Sequence, residues 1–363
     1  MKNLLRLTYL TLSISILFSC NSDDDKDIST EYPPKDYENG VLLTNEGPFG
    51  TGTGTVSFIS EDYSTVDNAI FNNVNGEDLG NIVHSMGFSE DNAYIVVNNS
   101  HKIEVVDRYT FESIATIDEG LNNPRYFVAE GHTGYVTNWG DPFDNNDDYI
   151  AVIDLQTNKV TSTIPVGFGP EKMLMFHENV KGYIMVLHKG GYDFNNIISV
   201  IDMDSNTIET TIEVGYSPNS IHFDDFEFWV LCGGKPDYSG DERGGSLYKI
   251  IDNIPSLEYE FEIDKHPSNL VADTTNDPAV FFLLNGNIVQ YYGFDFSHFE
   301  MNTYGGSFYS LGISEFPDLL YATDAGDFSS NGELKIFRSD DALENELESF
   351  TVGIIPGGIY LNY

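Results

Sequence analysis

A short pattern recurs along the chain from about residue 40 onward, and it constrains the fold more than any other feature. Each copy holds an apolar strand ending in a polar residue, a loop, a strand ending near Asp, a Thr-rich strand, then Gly and often Pro. The polar residue recurs at intervals of about 40 to 50 residues. Its seven positions are Asn45, Asn98, Asn138, His188, Cys232, Asn285 and Asp324. Because repeats of this kind assemble into one architecture, a chain of 363 residues need not be divided into two domains.

Each copy supplies four strands, which one stretch illustrates as "PNSIHF", "FWVLC", "SLYKII" and "EYEFEI". Seven copies of four strands are typical of an all-β, seven-bladed β-propeller with four-stranded antiparallel blades. The first strands of the copies are predicted to start near Ile82, Arg125, Lys172, Asn219, Asn269, Phe308 and Gly358.

The two ends of the repeat region complement each other. The C-terminal "IIPGGIYLNY" opens a copy that has no continuation, and "NGVLLTNEG" near residue 40 is a second strand without a first. Pairing the final strand with residues 41–45 would remove two open sheet edges. The sequence therefore predicts a ring closed by the C-terminal strand.

The charge of the chain excludes one class of partner. There are 17 Lys and Arg against 58 Asp and Glu, a formal net charge of −41. A surface this acidic repels phosphate backbones, so nucleic acid is not an expected partner. Most of the acidic residues are expected to form a solvated coat that keeps an exported protein dispersed.

The N-terminal segment has the features of an export signal. Lys2 and Arg6 precede an apolar stretch, Leu10 to Phe18, and residues 1–19 are predicted to be a signal peptide. The sequence "LFSC" that ends at Cys20 resembles a bacterial lipobox, which predicts cleavage before Cys20 and attachment of lipid to it. An ordinary cleavage site with an incidental cysteine is the alternative.

An acidic tether is predicted to follow Cys20. Residues 20–39 are polar and charged, so we expect them to be a flexible spacer before a propeller at 40–363. The run "NSDDDKD" resembles the acidic signal that sends lipoproteins of the Bacteroidetes to the outer face of the outer membrane. A simple solvated linker is the other interpretation.

Three stretches of the chain carry a family resemblance. They are "YVTN" at residues 135–138, "VIDLQTNKVTSTIPVG" and "VIDMDSNTIETTIEVG". These resemble the YVTN family of β-propellers. The first blade resembles lipid-anchored members from Bacteroidetes, among them surface lipoproteins that capture vitamin B12 (cobalamin) above a TonB-dependent outer-membrane transporter. The resemblance implies a cobalamin-like ligand and a transporter partner. We expect no cofactor. Related propeller lipoproteins serve siderophores or haem, so those ligands are alternatives.

The loops between second and third strands should all emerge on one face, and most are long, which is typical of functional loops. Their aromatic residues suit a large, partly flat ligand with polar edges. The predicted contacts are Phe49, Trp139, Phe143, Tyr149, Tyr192, Phe194, Tyr238 and Phe328. Packing of the loops against one another is the alternative role.

A smaller set of cationic and amide groups is predicted at the mouth of the central channel. Arg125, Lys172 and Asn219 lie where first strands begin, and Arg243 and Lys189 lie in loops. They would bind a phosphate or propionamide group of the ligand. Neutralisation of nearby loop carboxylates is the alternative.

Metal and catalytic sites have weaker support. Four carboxylates of one loop, Asp141, Asp144, Asp147 and Asp148, are candidate Ca²⁺ ligands, but they lack the order of a helix-flanked calcium loop. His84 and His222, on first strands, are candidate ligands for a haem iron or cobalt, or simply hydrogen-bonded strand histidines. No nucleophile elbow, phosphate loop or His-Glu-x-x-His motif is present. We therefore expect a binding protein, with an extracytoplasmic hydrolase or lactonase and a protein-binding module as alternatives.

Overall fold

Strand-forming runs of Val, Ile, Tyr and Phe occupy most of the residues that the computed structural model describes, which are 35–224, 227–274, 279–292, 301–315, 318–339 and 345–363. Lys35–Tyr363 is one compact unit. The predicted signal peptide, Cys20 and most of the tether lie outside the described residues. Within the described ranges, no helix has the length and hydrophobicity to span a membrane.

The strands, in chain order, are β1 (Gly40–Asn45), β2 (Thr55–Ser60), β3 (Val66–Asp67), β4 (Val83–Ser89), β5 (Asn92–Val97), β6 (Lys102–Asp107), β7 (Ser113–Ile117), β8 (Pro124–Glu130), β9 (Thr133–Asn138), β10 (Tyr149–Asp154), β11 (Lys159–Pro165), β12 (Pro170–Glu178), β13 (Lys181–His188), β14 (Ile197–Asp202), β15 (Thr207–Glu213), β16 (Pro218–Asp224), β17 (Glu227–Cys232), β18 (Ser246–Ile251), β19 (Ile254–Glu260), β20 (Pro267–Asp273), β21 (Ala279–Leu284), β22 (Asn287–Tyr292), β23 (Met301–Tyr304), β24 (Phe308–Glu315), β25 (Asp318–Asp324), β26 (Asn331–Arg338), β27 (Glu346–Ile354) and β28 (Pro356–Asn362). The described helices are α1 (Ile70–Asn75) and two 3₁₀ turns, Asn98–Ser100 and Asp237–Ser239.

These strands form seven four-stranded antiparallel sheets, which confirms the predicted seven-bladed β-propeller. Blade 1 contains β28, β1, β2 and β3, and each later blade takes the next four strands in order, from β4–β7 to β24–β27. The first strand of each blade lies innermost, against the first strands of its neighbours. Every predicted first strand begins within two residues of the observed one.

Ring closure occurs as predicted. β28 pairs antiparallel with β1, from Gly40 opposite Asn362 to Asn45 opposite Pro356. The buried Asn362 side chain also donates to the backbone oxygens of Tyr37 (2.6 Å) and Arg108 (2.9 Å), and its Oδ1 accepts from Arg108 Nε at 2.6 Å. One side chain thus joins the chain end to the segments before β1 and after β6.

The apolar core lies between blades rather than within them. The described residues form seven buried clusters, one at each of the seven blade interfaces. Strand β5 shows the reason, because Ala93 and Ile95 pack toward blade 1 whereas Tyr94 and Val96 pack toward blade 3. Alternating side chains point to opposite faces of a sheet. A second strand buried on both faces must therefore be apolar at every position, which explains the continuous apolar runs of the repeat.

Blade 1 departs from the repeat in a way that the sequence pattern did not predict. Its outer strand β3 has only two residues, and helix α1 follows it. Ile70 and Phe71 are buried beside β2, and Gly76 ends the helix at φ 72°. That left-handed conformation is the usual one for a C-terminal glycine.

Candidate ligand-binding site

A cavity of about 700 Å³ opens on the face that carries the second-to-third-strand loops. Residues at or next to the start of all seven inner strands line it. These are Ile82, His84, Arg125, Tyr126, Glu171, Lys172, Asn219, Ser268, Asn269, Phe308, Tyr309, Ser310 and Gly357. A narrower cavity of about 270 Å³, part of the central channel, shares His84, Tyr126 and Lys172 with it. The repeat therefore places equivalent positions of every blade around one opening.

An ion pair stacked on an aromatic ring forms one wall. The Nε and Nη2 atoms of Arg125 donate to Glu171 Oε1 at 3.2 and 2.9 Å. The guanidinium lies 4.0 Å from the ring centroid of Trp139, whose indole N–H donates to the Pro170 oxygen at 3.1 Å. Burial raises the pKa of Glu171, but the Arg125 charge, the interactions with His84 and the Lys189 charge together outweigh it and hold that pKa at about 2. The wall is thus rigid and its carboxylate stays ionised.

His84 lies between the two carboxylates of the cavity. Its Nδ1 is 3.8 Å from Glu46 and its Nε2 is 3.9 Å from Glu171. Tyr309 donates its hydroxyl to Glu46 at 3.2 Å. Burial, followed by the nearby Arg125 charge, lowers the pKa of His84, so the ring is neutral near pH 7. These groups interact with one another rather than projecting freely into the opening.

Lys172 and Lys189 supply the remaining positive charge of the cavity. Lys172 is half-buried, whereas Lys189 is exposed. Burial lowers the pKa of Lys172 to about 8, and the charge of Lys189 acts in the same direction while Glu171 opposes it. Both lysines lie at the opening, where cationic groups were predicted, and their binding role stays a prediction.

Three of the predicted aromatic contacts line the cavity, namely Phe49, Trp139 and Tyr192. Phe49 and Tyr192 are 75% and 66% exposed. Phe143, which is 86% exposed, stacks on Tyr192 with centroids 5.7 Å apart and extends this wall beyond the cavity. These rings place large apolar area at the cavity wall.

The other predicted contacts lie outside the lining. The Tyr149 hydroxyl donates to the Gly120 oxygen at 3.1 Å, and its ring packs between blades. The ring centroids of Phe194 and Tyr238 lie 6.2 Å apart. The Nη2 atom of Arg243 forms an ion pair with Asp241 Oδ1 at 3.0 Å.

Two further predicted residues contact the lining in different ways. Phe328 packs edge-on against Tyr309, with centroids 5.7 Å apart. Asn219 does line the cavity, yet its amide donates to the Pro267 oxygen at 3.0 Å and so joins two blades. Its carbonyl accepts from the Ser220 hydroxyl. Asn219 therefore has a structural role as well as its place at the opening.

All four candidate calcium ligands accept hydrogen bonds from backbone N–H groups. Asp147 accepts from the backbone N–H of Asp141 at 2.8 Å, and Asp148 accepts from that of Gly169 at 2.5 Å. Asp144 accepts from the N–H two residues on. Burial raises the pKa of Asp148 to about 7. Across the residues with described positions, no three His, Cys, Asp or Glu side chains group as metal ligands would.

Comparison with known proteins places the chain in a family. Residues 39–237 match the model described as a domain of unknown function, DUF5074. The chain belongs to the DUF5074 family. No curated protein matches this DUF5074 chain.

Solved structures share the fold of this DUF5074 protein. A functionally unknown protein from Desulfotomaculum acetoxidans is 14% identical with a TM-score of 0.65, over 89% of this chain and 98% of that one. The computationally designed Ika8 protein is 10% identical with a TM-score of 0.56, over 91% and 100%. The dihydro-heme d1 dehydrogenase NirN, solved in complex with DHE, is 13% identical with a TM-score of 0.56, over 91% and 76%. Identities this low support the shared fold alone.

Several lining residues of the DUF5074 cavity were not singled out from the sequence, notably Glu46, Glu171 and Tyr309. Glu171 directly precedes Lys172, and Tyr309 follows the first residue of β24. Glu171 and Tyr309 are the second residues of β12 and β24, as Arg125 is of β8. Aligning the starts of the seven inner strands in the sequence would have identified these two positions.

Proposed function

We propose that this protein captures a large small-molecule nutrient in the loop-face cavity and makes no covalent bond to it. The observation that carries the proposal is the cavity of about 700 Å³, which combines aromatic walls with amide and cationic groups from blades 2 to 6. Binding sites for small molecules typically pair apolar walls with a few polar groups that fix orientation. The ionisable groups here are largely engaged with one another, as Arg125 is with Glu171, and that favours binding over acid–base chemistry.

A cobalamin-like molecule is the ligand that we propose first. Its corrin ring is broad and flat, and its edges carry amides and one phosphodiester. Trp139 and Tyr192 would pack against the ring, with asparagine amides of the lining, such as Asn99 and Asn285, at its edges. Burying three aromatic rings at about 150 Å² each contributes on the order of 11 kcal/mol before the cost of association. Tight binding is therefore energetically feasible.

We further propose that the protein is anchored by lipid on Cys20 at the cell surface and delivers its ligand to a TonB-dependent outer-membrane transporter. The lipobox-like "LFSC" and the acidic run after it support the anchor. Phe143 and Tyr238, 86% and 85% exposed, lie on the same face as the cavity. Exposed aromatic residues are enriched at protein–protein contacts, which supports a transporter docking over the cavity mouth.

Ligand retention tests the proposal. Purified protein is incubated separately with cyanocobalamin, hemin and a ferric siderophore, then desalted, and absorbance is read in the protein fraction. Retained cyanocobalamin supports the first ligand, while retention of hemin or the siderophore alone moves the proposal to that class. Retention of none of them at about 10 μM protein would contradict capture of these ligands.

A further inference from the structure

The cavity is lined by two lysines, Lys172 and Lys189, that form no ion pair with a described carboxylate. Elsewhere in the described part of the chain, lysines usually pair with acids, as Lys181 does with Asp202 at 2.8 Å and Lys335 with Glu346 at 3.2 Å. Neither Lys172 nor Lys189 has an ion pair with a described carboxylate, although the chain carries 58 Asp and Glu. Lys159 also forms no such pair, but it is exposed on β11, whereas Lys172 is half-buried in the cavity lining.

Both carboxylates of the lining are already engaged. Glu171 accepts two hydrogen bonds from Arg125 through Oε1, and its Oε2 lies 3.9 Å from His84. Glu46 accepts from Tyr309 at 3.2 Å. Neither carboxylate forms an ion pair with Lys172, although the charge of Glu171 acts on it from a longer distance and partly stabilises its protonated form.

Keeping Lys172 in this position is unfavourable for the folded protein. It is half-buried, and burial together with the charge of Lys189 disfavours its protonated form. A buried cation without a partner costs stability, and such costs are concentrated at functional sites. An anion bound between the two ammonium groups would offset this cost with charge-assisted hydrogen bonds.

We propose that Lys172 and Lys189 form an anion seat, so that the ligand carries a phosphate or carboxylate group which enters the cavity toward the channel. Lys172 lines both the cavity and the narrower channel below it, which puts the seat at the junction of the two. The inference deepens the proposed function and rests on it for the identity of the site. It adds the chemical class of the group that the site recognises.

Simple anions test the seat without any assumption about the natural ligand. Lysines of the full protein are labelled as ¹³C-dimethyl derivatives, and inorganic phosphate or acetate is titrated at constant ionic strength. Signals assigned through Lys172→Met and Lys189→Met variants should shift saturably, and the signal of the exposed Lys159 on β11 should not. Equal shifts at Lys159, or none at Lys172, would overturn the seat.

A second comparison separates the seat from the cobalamin proposal. Cyanocobalamin carries a phosphodiester, and dicyanocobinamide lacks it. The Lys172→Met and Lys189→Met variants should each weaken cyanocobalamin binding about tenfold or more while changing dicyanocobinamide binding less than about threefold. Lys159→Met should change neither.

The outcomes are distinguishable. Equal losses for both corrinoids, or no loss, would overturn the seat and leave capture intact. If neither corrinoid binds but phosphate or acetate shifts the Lys172 signal, the seat stands and the proposed ligand fails; acetate without phosphate then indicates a carboxylate ligand.

Discussion

Replacing Lys172 with Met is expected to stabilise the fold while weakening anion binding. Burial lowers the pKa of Lys172 from its ordinary 10.5 to about 8. One pKa unit corresponds to about 1.4 kcal/mol, so the charged form costs at most about 3 kcal/mol at neutral pH. Partial exposure of the side chain reduces this penalty. Methionine keeps the stem packing and removes the charge, so we expect a gain of about 1–2 kcal/mol in the free energy of unfolding.

Equilibrium urea denaturation at pH 7, followed by circular dichroism, measures this gain. The folded-state pKa lies below the unfolded value, so between about pH 8 and 10.5 the unfolded state binds more protons. The wild-type free energy of unfolding therefore rises with pH through that window. The difference in this free energy between the wild type and Lys172→Met should be smaller at pH 10 than at pH 7. Lys159→Met, an exposed control, should change little. A less stable Lys172→Met protein, or a gap independent of pH, would refute the reasoning.

Three further predictions concern the closure, the seat and the anchor. Deleting residues 359–363 removes much of the β28–β1 pairing and the bonds of Asn362, and should lower the Tm by about 10 °C or more; an unchanged Tm would contradict ring closure. Binding of inorganic phosphate should weaken as pH rises above about 8, where Lys172 loses its proton, and Lys172→Met should remove that part of the pH profile; an unaltered profile in the variant would count against it. Cys20→Ser should move the folded protein from the membrane to the soluble fraction of the producing cells, and retention in the membrane would contradict lipid anchoring.

Much of the fold was predictable because the repeat is periodic in both chemistry and length. Positions such as Asn138 and His188 end second strands that are buried on both faces, so their apolar runs and polar ends recur in every blade. The exception is blade 1, where α1 follows a two-residue outer strand. No apolar period marks so short a helix.

The site was predictable by region rather than by residue. Long loops pointed to the face on which the cavity opens, but loop aromatics alone do not reveal whether a ring lines the opening, as in Tyr192, or packs between blades, as in Tyr149. The carboxylates that engage Arg125 and His84 were equally hidden, because 58 acidic residues gave no reason to select Glu171 or Glu46. The roles of these residues depend on which side chains contact one another in the folded protein.

The affinity of the protein for cyanocobalamin, measured by isothermal titration with matched aromatic variants, tests the central claim most directly. Tyr192 lines the cavity, whereas Tyr109 lies in the turn after β6 on the opposite face. We predict one-to-one binding that Tyr192→Ala weakens by about tenfold or more and Tyr109→Ala leaves unchanged. Absence of binding, or equal losses in the two variants, would contradict capture in this cavity.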